Sequence, residues 1–231
     1  MAFEEVTIGN ARLILGDCRE VLPLLPQFDL ILTDPPFGIG NFVQTAGSLR
    51  GRGDNTGKII DWNDAPPDEA VFALIREKSK DRVIWGANFF NCFEAEGGAI
   101  VWLKRQRMPN FSKAEIATCT HYKKTEIVEI AWTNFVVARE AETSHPCERP
   151  VNLYEWCIDY MPSGKTVCDP YMGSGSCGVA AIRMGRAFTG VERERKYFDA
   201  ACERIENAQR QSQLLPHEAP TKPEQSAMGY E

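Results

Sequence analysis

The chain has 231 residues, of which 43% are hydrophobic and 25% charged, and its formal net charge is −6. No apolar run approaches the roughly 18 residues needed to cross a bilayer. The net acidity argues mildly against a nucleic-acid partner, because phosphate binding usually needs a basic surface. The first residues lack the basic start and apolar stretch of a signal peptide, which predicts a cytoplasmic protein without membrane contact. The eight cysteines include no CxxC pair, so we expect reduced thiols and no metal site.

Short apolar segments alternate with segments of helical length, a pattern typical of a parallel sheet covered by helices. In chain order it predicts strands at Ala11–Leu15, Asp29–Thr33, Arg82–Trp85, Ala99–Leu103, Ile127–Trp132, Thr166–Cys168 and Ala187–Val191. It predicts helices at Glu69–Lys80, Pro150–Tyr160, Cys177–Met184 and Arg195–Gln211. We therefore expect a single α/β domain over residues 1–212, Rossmann-like, with a mostly parallel seven-stranded sheet and helices on both faces. Residues 213–231 contain three prolines and few bulky apolar side chains, which predicts a disordered tail.

The segment TVCDPYMGSGSCGVAAIRMGRAFTGVE, Thr166 to Glu192, predicts a strand, a glycine turn, a helix and a second strand that ends in an acid. Gly173, Gly175 and Gly178 fit the pattern GxGxxG, whose glycines let a ligand approach the backbone, and the final acid can bind ribose hydroxyls. The pattern therefore predicts a nucleoside cofactor. Asp169 precedes the turn, where its charge would repel a pyrophosphate, so S-adenosylmethionine fits better than NAD.

The segment FDLILTDPPFGIG, Phe28 to Gly40, is an apolar strand that ends in an acid, two prolines and an aromatic ring. If this strand lies beside the one that ends at Asp169, the acid faces the cofactor. The Asp34 carboxylate and the Pro35 carbonyl would then accept hydrogen bonds from both N–H groups of a planar amine, and Phe37 would stack on its ring. Such a set suits the amino group of adenine or cytosine, which must leave the duplex to be reached. The predicted catalytic group is Asp34, Pro35, Pro36 and Phe37.

Two basic clusters are candidates for DNA contact. Arg50, Arg52 and Lys58 lie in a glycine-rich loop, and Lys104, Arg105 and Arg107 begin a stretch that ends at Lys124. That stretch has six basic residues against one acid, a local charge of +5. Each cluster alone is equally well explained by a solvated surface, but together they could form a cleft. We expect segments 38–64 and 104–145 to contain the DNA-recognition residues.

At these motifs the chain resembles the DNA amino methyltransferases, which modify adenine N6 or cytosine N4. DPPF matches the family's (D/N/S)PP(Y/F/W) catalytic motif and DPYMGSG matches its DPFxGSG cofactor motif, over a resemblance that extends from about Asn10 to Gln209. The catalytic motif comes first in the chain, which is the permuted order of the class called beta. The resemblance implies the fold of the S-adenosylmethionine-dependent methyltransferases and double-stranded DNA as partner.

Further residues enter the predicted cofactor site through this resemblance. GDC resembles the family segment that contacts the cofactor's adenine, and HPCERP resembles the HPTxKP segment, with Arg149 where Lys is usual and Cys147 where Thr is usual. The family's WDK triplet is WLK here, so any role of that acid is lost or moved. The predicted cofactor-binding residues are Asp17, Cys18, Asp34, His145, Arg149, Asp169, Pro170, Tyr171, Met172, Gly173, Ser174, Gly175 and Glu192.

The combined hypothesis is a methyltransferase that modifies an exocyclic amine in DNA. Adenine N6 is favoured over cytosine N4, because the resemblance associates Asp at the first motif position with adenine enzymes. An RNA or protein amine, such as a Gln side chain, is the nearer alternative. An NAD-dependent oxidoreductase and a non-catalytic nucleic-acid-binding module stay open as other classes. The sequence leaves open whether the chain forms a homodimer.

Overall fold

The computed structural model describes residues 3–38, 66–105, 112–131, 148–161 and 164–214. These residues form one nine-stranded sheet flanked by helices. The strands are β1 (Glu4–Ile8), β2 (Ala11–Leu15), β3 (Phe28–Thr33), β4 (Ser79–Trp85), β5 (Gly98–Leu103), β6 (Ala114–Cys119), β7 (Thr125–Glu129), β8 (Thr166–Asp169) and β9 (Ala187–Glu192). The helices are α1 (Cys18–Val21), followed by a 3-10 turn at Leu22–Leu24, α2 (Glu69–Lys78), α3 (Ala87–Phe90), α4 (Val151–Tyr160), α5 (Ser176–Arg183) and α6 (Arg195–Leu214).

The strands are arranged in the order β1-β2-β9-β8-β3-β4-β6-β5-β7. The run from β2 to β4 is parallel throughout, and β7 is parallel to β5. The other pairings are antiparallel: β1 pairs with β2, and β6 lies between β4 and β5. All seven predicted strands are present, but the predicted strand number is wrong because β1 and β6 bring the count within the described residues to nine.

Helices cover both faces of the sheet, as predicted, and the alternation of side chains along β3 shows why. Leu30 and Leu32 pack into one apolar cluster with residues of α4, α5 and α6. Ile31 points the other way, into a second cluster with residues of α1 and α2. Because β3 is central, both of its faces are buried, and its sequence is a continuous apolar run rather than an alternating one.

The chain reverses its direction of travel across the sheet between β3 and β8. From β3 the next strand, β4, lies on one side, whereas from β8 the next strand, β9, lies on the other side. In an open α/β sheet, ligands bind beyond the carboxyl ends of the strands at such a switch point. Asp34, Asp169 and Glu192 all stand at this edge, because each follows or ends one of the three neighbouring parallel strands.

Most predicted boundaries lie within three residues of the observed ones. The largest differences, three residues each, are at the start of β4 (Ser79), the end of β7 (Glu129) and the end of α6 (Leu214). Residues 39–64 of the candidate segment 38–64, most of the predicted tail and the last predicted residue of β7, Trp132, lie outside the described residues. No helix in the described ranges combines the length and apolar character that a membrane span requires.

Candidate active site

A cavity of about 340 Å³ lies at the switch point, within the usual size range of small-molecule sites. Asp34, from the end of β3, and Gly173, from the turn after β8, both line it. The two motifs are 139 residues apart in the chain, yet they open into a single space because β3 and β8 are hydrogen-bonded neighbours. The predicted cofactor residues that line it are Asp17, Cys18, Asp34, Arg149, Pro170, Tyr171, Met172, Gly173, Ser174 and Glu192.

The charge of the lining separates two kinds of nucleoside cofactor. Six acidic and three basic side chains contribute to the cavity wall: Asp17, Asp34, Asp68, Glu148, Glu192 and Glu194 against Arg19, Arg149 and Arg193. An excess of carboxylates opposes the pyrophosphate of a dinucleotide such as NAD and favours a cation that carries hydroxyl groups. The lining therefore fits an amino-acid nucleoside with a positive sulfur better than it fits NAD.

The glycine turn contacts the cavity through only part of its GxGxxG pattern. Gly173 has φ +52° and donates its N–H to Oε2 of Glu192 at 3.0 Å, which ties the turn to the end of β9. Gly178 has a packing role instead, because a Cβ at this position would lie 2.5 Å from Ile205 Cδ1 and 2.7 Å from Phe188 Cε1. The third glycine thus allows α5 to approach α6 and β9 closely.

Asp169 lies beneath the cavity wall with 1% of its surface exposed. Its Oδ1 accepts hydrogen bonds from the Thr33 hydroxyl at 2.8 Å and the Tyr171 N–H at 3.0 Å. Burial raises the pKa of Asp169 to about 7, against the lowering effect of these two hydrogen bonds. Asp169 therefore joins β3 to the glycine turn and can act on a bound cation through its charge.

Two carboxylates lie on the far side of the turn from Asp34. Glu192 uses Oε1 to accept from the Glu194 N–H at 2.8 Å, in addition to its bond from Gly173, and burial raises its pKa. Asp17 caps α1 by accepting from the Arg19 N–H at 2.9 Å, and the Arg19 guanidinium lowers the pKa of this carboxyl. Glu192 keeps lone pairs for further donors and can bind hydroxyl or amino groups in the cavity. Asp17 also accepts from the Arg19 side chain, because Nε donates to both of its oxygens and Nη2 donates to Oδ2.

Arg204 is a site residue that the sequence analysis missed. From α6 its Nη1 donates to the carbonyl and to the hydroxyl of Ser174, both at 2.8 Å. Its Nη2 lies 2.6 Å from Oε1 of Glu148, which also lines the cavity. Arg204 thereby joins the glycine turn to the segment before α4, and its position in the middle of a long amphipathic helix gives no sequence signal for this role.

Arg149 binds both carboxylate oxygens of Asp34. Its Nε and Nη2 donate to Oδ2 and Oδ1, each at 2.5 Å, and Arg149 is only 5% exposed. Burial raises the pKa of Asp34, and the charge of Arg149 opposes that rise. Arg149 was predicted to contact the cofactor; it lines the cavity, but its guanidinium is committed to the catalytic motif.

The ion pair extends into a chain of four buried charges. The third nitrogen of the guanidinium, Nη1, donates to Glu115 Oε2 from β6, and Glu115 Oε1 pairs with Lys104 Nζ. The structure therefore contradicts the prediction that Lys104 contacts DNA, because this ammonium is buried in an ion pair and the residue is 6% exposed. Glu115 and Lys104 instead belong to the machinery that surrounds Asp34.

The other described residues of the basic stretch are largely neutralised by neighbouring acids. Arg105 Nε lies 2.6 Å from Glu129, Lys124 lies 2.5 Å from Glu126, and Lys123 pairs with Glu96. Arg105 is exposed and stays a candidate for DNA contact. Several predicted residues lie outside the described ranges: Arg50, Arg52, Lys58, Arg107, His145 and Cys147.

Aromatic rings surround the Asp34–Arg149 pair. The guanidinium carbon of Arg149 lies 5.0 Å from the ring centre of Trp85, 5.7 Å from Trp102 and 5.9 Å from Phe37. One face of Phe37 stacks on Phe89, with centroids 4.7 Å apart and planes at 18°. Phe89 is 49% exposed, so these two rings form a stacked pair beside the catalytic motif with Phe89 on the solvent side.

Replacing Gly86 by Ala should disturb Phe37 specifically. Gly86 has φ +74°, and an added Cβ would lie 2.3 Å from Phe37 Cε1. Gly185 is a matched control, since its φ is +66° and nothing lies within 4 Å of an added Cβ. In urea unfolding we expect Gly185→Ala to lose about 1 kcal/mol from backbone strain, and Gly86→Ala to lose roughly 2–4 kcal/mol because the ring must also move. Equal losses in the two variants would show that Phe37 does not depend on this glycine.

Comparisons with known proteins agree with this arrangement. A family model described as DNA methylase (N6_N4_Mtase) matches residues 99–203. Type II methyltransferase M.HinfI of Haemophilus influenzae is 25% identical over 246 residues, covering 84% of this chain and 67% of its own length. Putative methylase YubD of Escherichia coli (strain K12) is 25% identical over 222 residues, covering 88% of this chain and 93% of its own.

Two solved structures share the fold. The PvuII DNA methyltransferase (cytosine-N4-specific) has a TM-score of 0.59 at 18% identity, covering 86% of this chain and 87% of its own. The M1.HpyAVI–SAM complex has a TM-score of 0.56 at 22% identity, covering 84% of this chain and 98% of its own. The chain thus shares its fold with these two methyltransferase structures. In its motifs and in these matches the chain is similar to amino methyltransferases of the N6-adenine or N4-cytosine type.

Proposed function

We propose that this protein transfers a methyl group from S-adenosylmethionine to the N6 amino group of an adenine in double-stranded DNA. The observation that carries the proposal is that Asp34 and the Gly173 turn line one cavity. A methyl donor held at the turn and an amine held at Asp34 would therefore be presented to each other. Positioning two reactants in this way is a large part of what a transfer enzyme must do.

The residues of the cavity wall support a particular position for the cofactor. Asp17 and Glu192 lie on the side away from Asp34, and the Gly173 turn lies between them and the catalytic motif. Glu192 offers acceptors for hydroxyl and amino groups. The charge of Asp169 favours a cation above it. When bound, S-adenosylmethionine supplies an electrophilic methyl group on a positively charged sulfur.

Asp34 has acceptor capacity left for a substrate amine although Arg149 binds both of its oxygens. A carboxylate offers about four lone-pair sites, and the two bonds from Arg149 use two of them. One N–H of the amine can bond to Asp34 and the other to the Pro35 carbonyl, which would favour a pyramidal nitrogen whose lone pair points at the methyl group. As the new N–C bond forms and the S–C bond breaks, the nitrogen becomes positive. It can then release a proton, so no strong base is required.

Phe37 and Phe89 are the rings that a flipped base would meet beside Asp34. Phe89 covers one face of Phe37 in this structure, so stacking requires either the other face of Phe37 or displacement of the half-exposed Phe89 ring. Bases stack well on aromatic side chains whatever their sequence context. This pair therefore supports a nucleobase as the carrier of the amine more than a Gln side chain, which has no ring to stack.

The choice of adenine rests on the Asp at the first position of DPPF. Sequencing of DNA from a methylation-free host that expresses this chain, with modified bases identified, tests the base and the recognition site together. We expect N6-methyladenine at one short recurring sequence. N4-methylcytosine at such a sequence would replace adenine by cytosine in the proposal. Unmodified DNA, from a host whose expressed protein is folded and binds S-adenosylmethionine, would overturn it.

Replacing Asp169 by Asn should weaken cofactor binding and remove its pH dependence. A positive ligand favours the ionised carboxylate, so the wild-type affinity should rise as pH increases through about 7 and fall below it. Asn keeps the shape and the acceptor for Thr33 but not the charge, so we expect about 10-fold weaker binding above that pH and little change with pH. Calorimetry with S-adenosylmethionine, at pH values one unit below and one unit above the Asp169 pKa of about 7, measures both the affinity and its pH dependence. Asp159→Asn, on the exposed side of α4, is the control; equal affinities in the wild type and Asp169→Asn would refute the role.

A further inference from the structure

Glu115 is the one carboxylate in the buried charge chain that does not reach the cavity itself. It lies on β6 opposite Trp102 of β5, and its two oxygens are divided between Arg149 Nη1 and Lys104 Nζ. Only 18% of its side chain is exposed. Glu115 therefore holds two cations at once, and one of them is the partner of the catalytic carboxylate.

Because the guanidinium of Arg149 is planar, its bond to Glu115 also restricts the orientation of the bonds that it makes to Asp34. Arg149 lies outside any helix, just before Pro150 caps α4, so its backbone alone does not fix the direction of its side chain. Glu115 binds Nη1, while Nε and Nη2 bind the two oxygens of Asp34. Because the five N–H donors of arginine lie in one rigid plane, fixing Nη1 also fixes the edge that Asp34 meets.

We propose that Glu115 is a positioning residue for methyl transfer, which acts through Arg149 to set the orientation of the Asp34 carboxylate. The inference rests on the proposed function of Asp34 and adds a residue on a different strand to it. Without the Glu115 carboxylate, the guanidinium can rotate within its aromatic surroundings, and the remaining lone pairs of Asp34 no longer point at the amine. Even a small displacement of a group that positions the substrate lowers the rate of a reaction that depends on alignment.

The charges around Asp34 give the proposal a readout apart from rate. The groups that face this carboxylate within the described residues are Arg149, Glu115, Lys104, Tyr154 and Asp169. The negative charge of Glu115 raises the pKa of Asp34, whereas Arg149 and Lys104 lower it. Removing the Glu115 charge should therefore lower the pKa of Asp34, while removing the Arg149 charge should raise it.

The test compares Glu115→Gln with a matched control, Glu94→Gln. Glu94 accepts from Arg82 Nε at 2.6 Å and Nη2 at 2.7 Å, and its side chain is 17% exposed, so it loses a similarly buried ion pair without contacting Asp34. For Glu115→Gln we expect kcat to fall about 10- to 100-fold, with the KM for S-adenosylmethionine nearly unchanged. In the plot of its kcat against pH, the acidic limb should move to lower pH. Glu94→Gln should keep both kcat and the acidic limb.

Carbon-13 titration of the Asp34 carboxyl, assigned by its absence in Asp34→Asn, reads the same coupling without any substrate. We expect the midpoint to move down in Glu115→Gln and up in Arg149→Gln; unchanged midpoints and an unchanged kcat would overturn the proposal.

Should Glu115→Gln not fold, Glu115→Asp decides, since it keeps the charge but withdraws it from Arg149. A lower kcat with the wild-type acidic limb then supports positioning, and a wild-type kcat refutes it. A wild type that methylates no DNA would refute the proposed function instead, while the carboxyl titration would still show whether Glu115 acts on Asp34.

Discussion

Replacement of Asp34 by Asn is expected to lower the rate of methyl transfer about 100- to 1,000-fold while S-adenosylmethionine still binds. Asn keeps the size of the side chain but offers one acceptor oxygen instead of two, and its amide N–H₂ meets Arg149 as a second donor. The substrate amine then loses an acceptor at the moment when positive charge develops on its nitrogen. Single-turnover rates and calorimetry with the cofactor separate these two effects.

Asp29→Asn is the matched control for that experiment. Asp29 lies at the opposite end of the same strand and is bound to Lys80 and Thr166, so the substitution is chemically identical but distant from the cavity. We expect its transfer rate to equal that of the wild type. An Asp34→Asn protein that transfers methyl groups at the wild-type rate would remove Asp34 from the mechanism.

Replacement of Arg149 by Leu is expected to have the largest effect on stability, about 3–5 kcal/mol of the free energy of unfolding. The change leaves Asp34 and Glu115 buried close together, with Lys104 as the remaining cation of the chain of four. An unpaired buried carboxylate must either stay ionised at high cost or take up a proton, and in the second case Asp34 loses its function as an acceptor. Transfer activity should therefore be lost together with stability.

Urea unfolding of Arg149→Leu and of two further variants measures this prediction. The exposed pair of Arg12 and Glu5 gives a surface control, and we expect Arg12→Leu to cost less than about 1 kcal/mol. Adding Asp34→Asn to Arg149→Leu removes one of the orphaned charges and should recover part of the lost stability. A loss for Arg149→Leu as small as that for Arg12→Leu would mean that the buried chain of charges does not stabilise the fold.

Patterns that are local in the sequence predicted the central part of the fold well. β2 was placed at its observed bounds, and α4 and α5 were placed within one residue, because each combines a clear apolar period with a turn signal beside it. β1 was missed because it is an edge strand in which three of the five residues are polar and the other two are only partly buried. β6 was missed because its residues lie within the stretch that the charge pattern assigned to DNA contact.

The site shows the same division between local and long-range information. The motifs around Asp34 and Gly173 are each recognisable from a few consecutive residues. Their shared cavity could therefore be predicted on the condition that β3 and β8 are neighbours in the sheet. Glu115 and Arg204 belong to no local motif, because their partners come from distant parts of the chain. The missing acid of the WLK segment is a related case: position 103 is Leu, and Glu115 on the neighbouring strand β6 binds the adjacent Lys104.

Lys104 illustrates why charge counts along the chain misled the DNA assignment. Its stretch has a local charge of +5 in sequence, but the fold brings Glu129, Glu126 and Glu96 beside three other basic side chains and buries Lys104 against Glu115. Among the described residues, ion pairs therefore offset four of the positive charges of this stretch. Only contacts between strands, which a linear count does not contain, determine how much of that charge a phosphate backbone would meet.

The most direct measurement is mass spectrometry of the nucleosides released from duplex DNA after incubation with the purified chain and isotopically labelled S-adenosylmethionine. A shared cavity of methyl donor and base amine predicts labelled N6-methyldeoxyadenosine, formed at the same rate by the wild type and Asp29→Asn and about 100- to 1,000-fold more slowly by Asp34→Asn. No label on any exocyclic base amine, from folded protein that binds the cofactor, would contradict it.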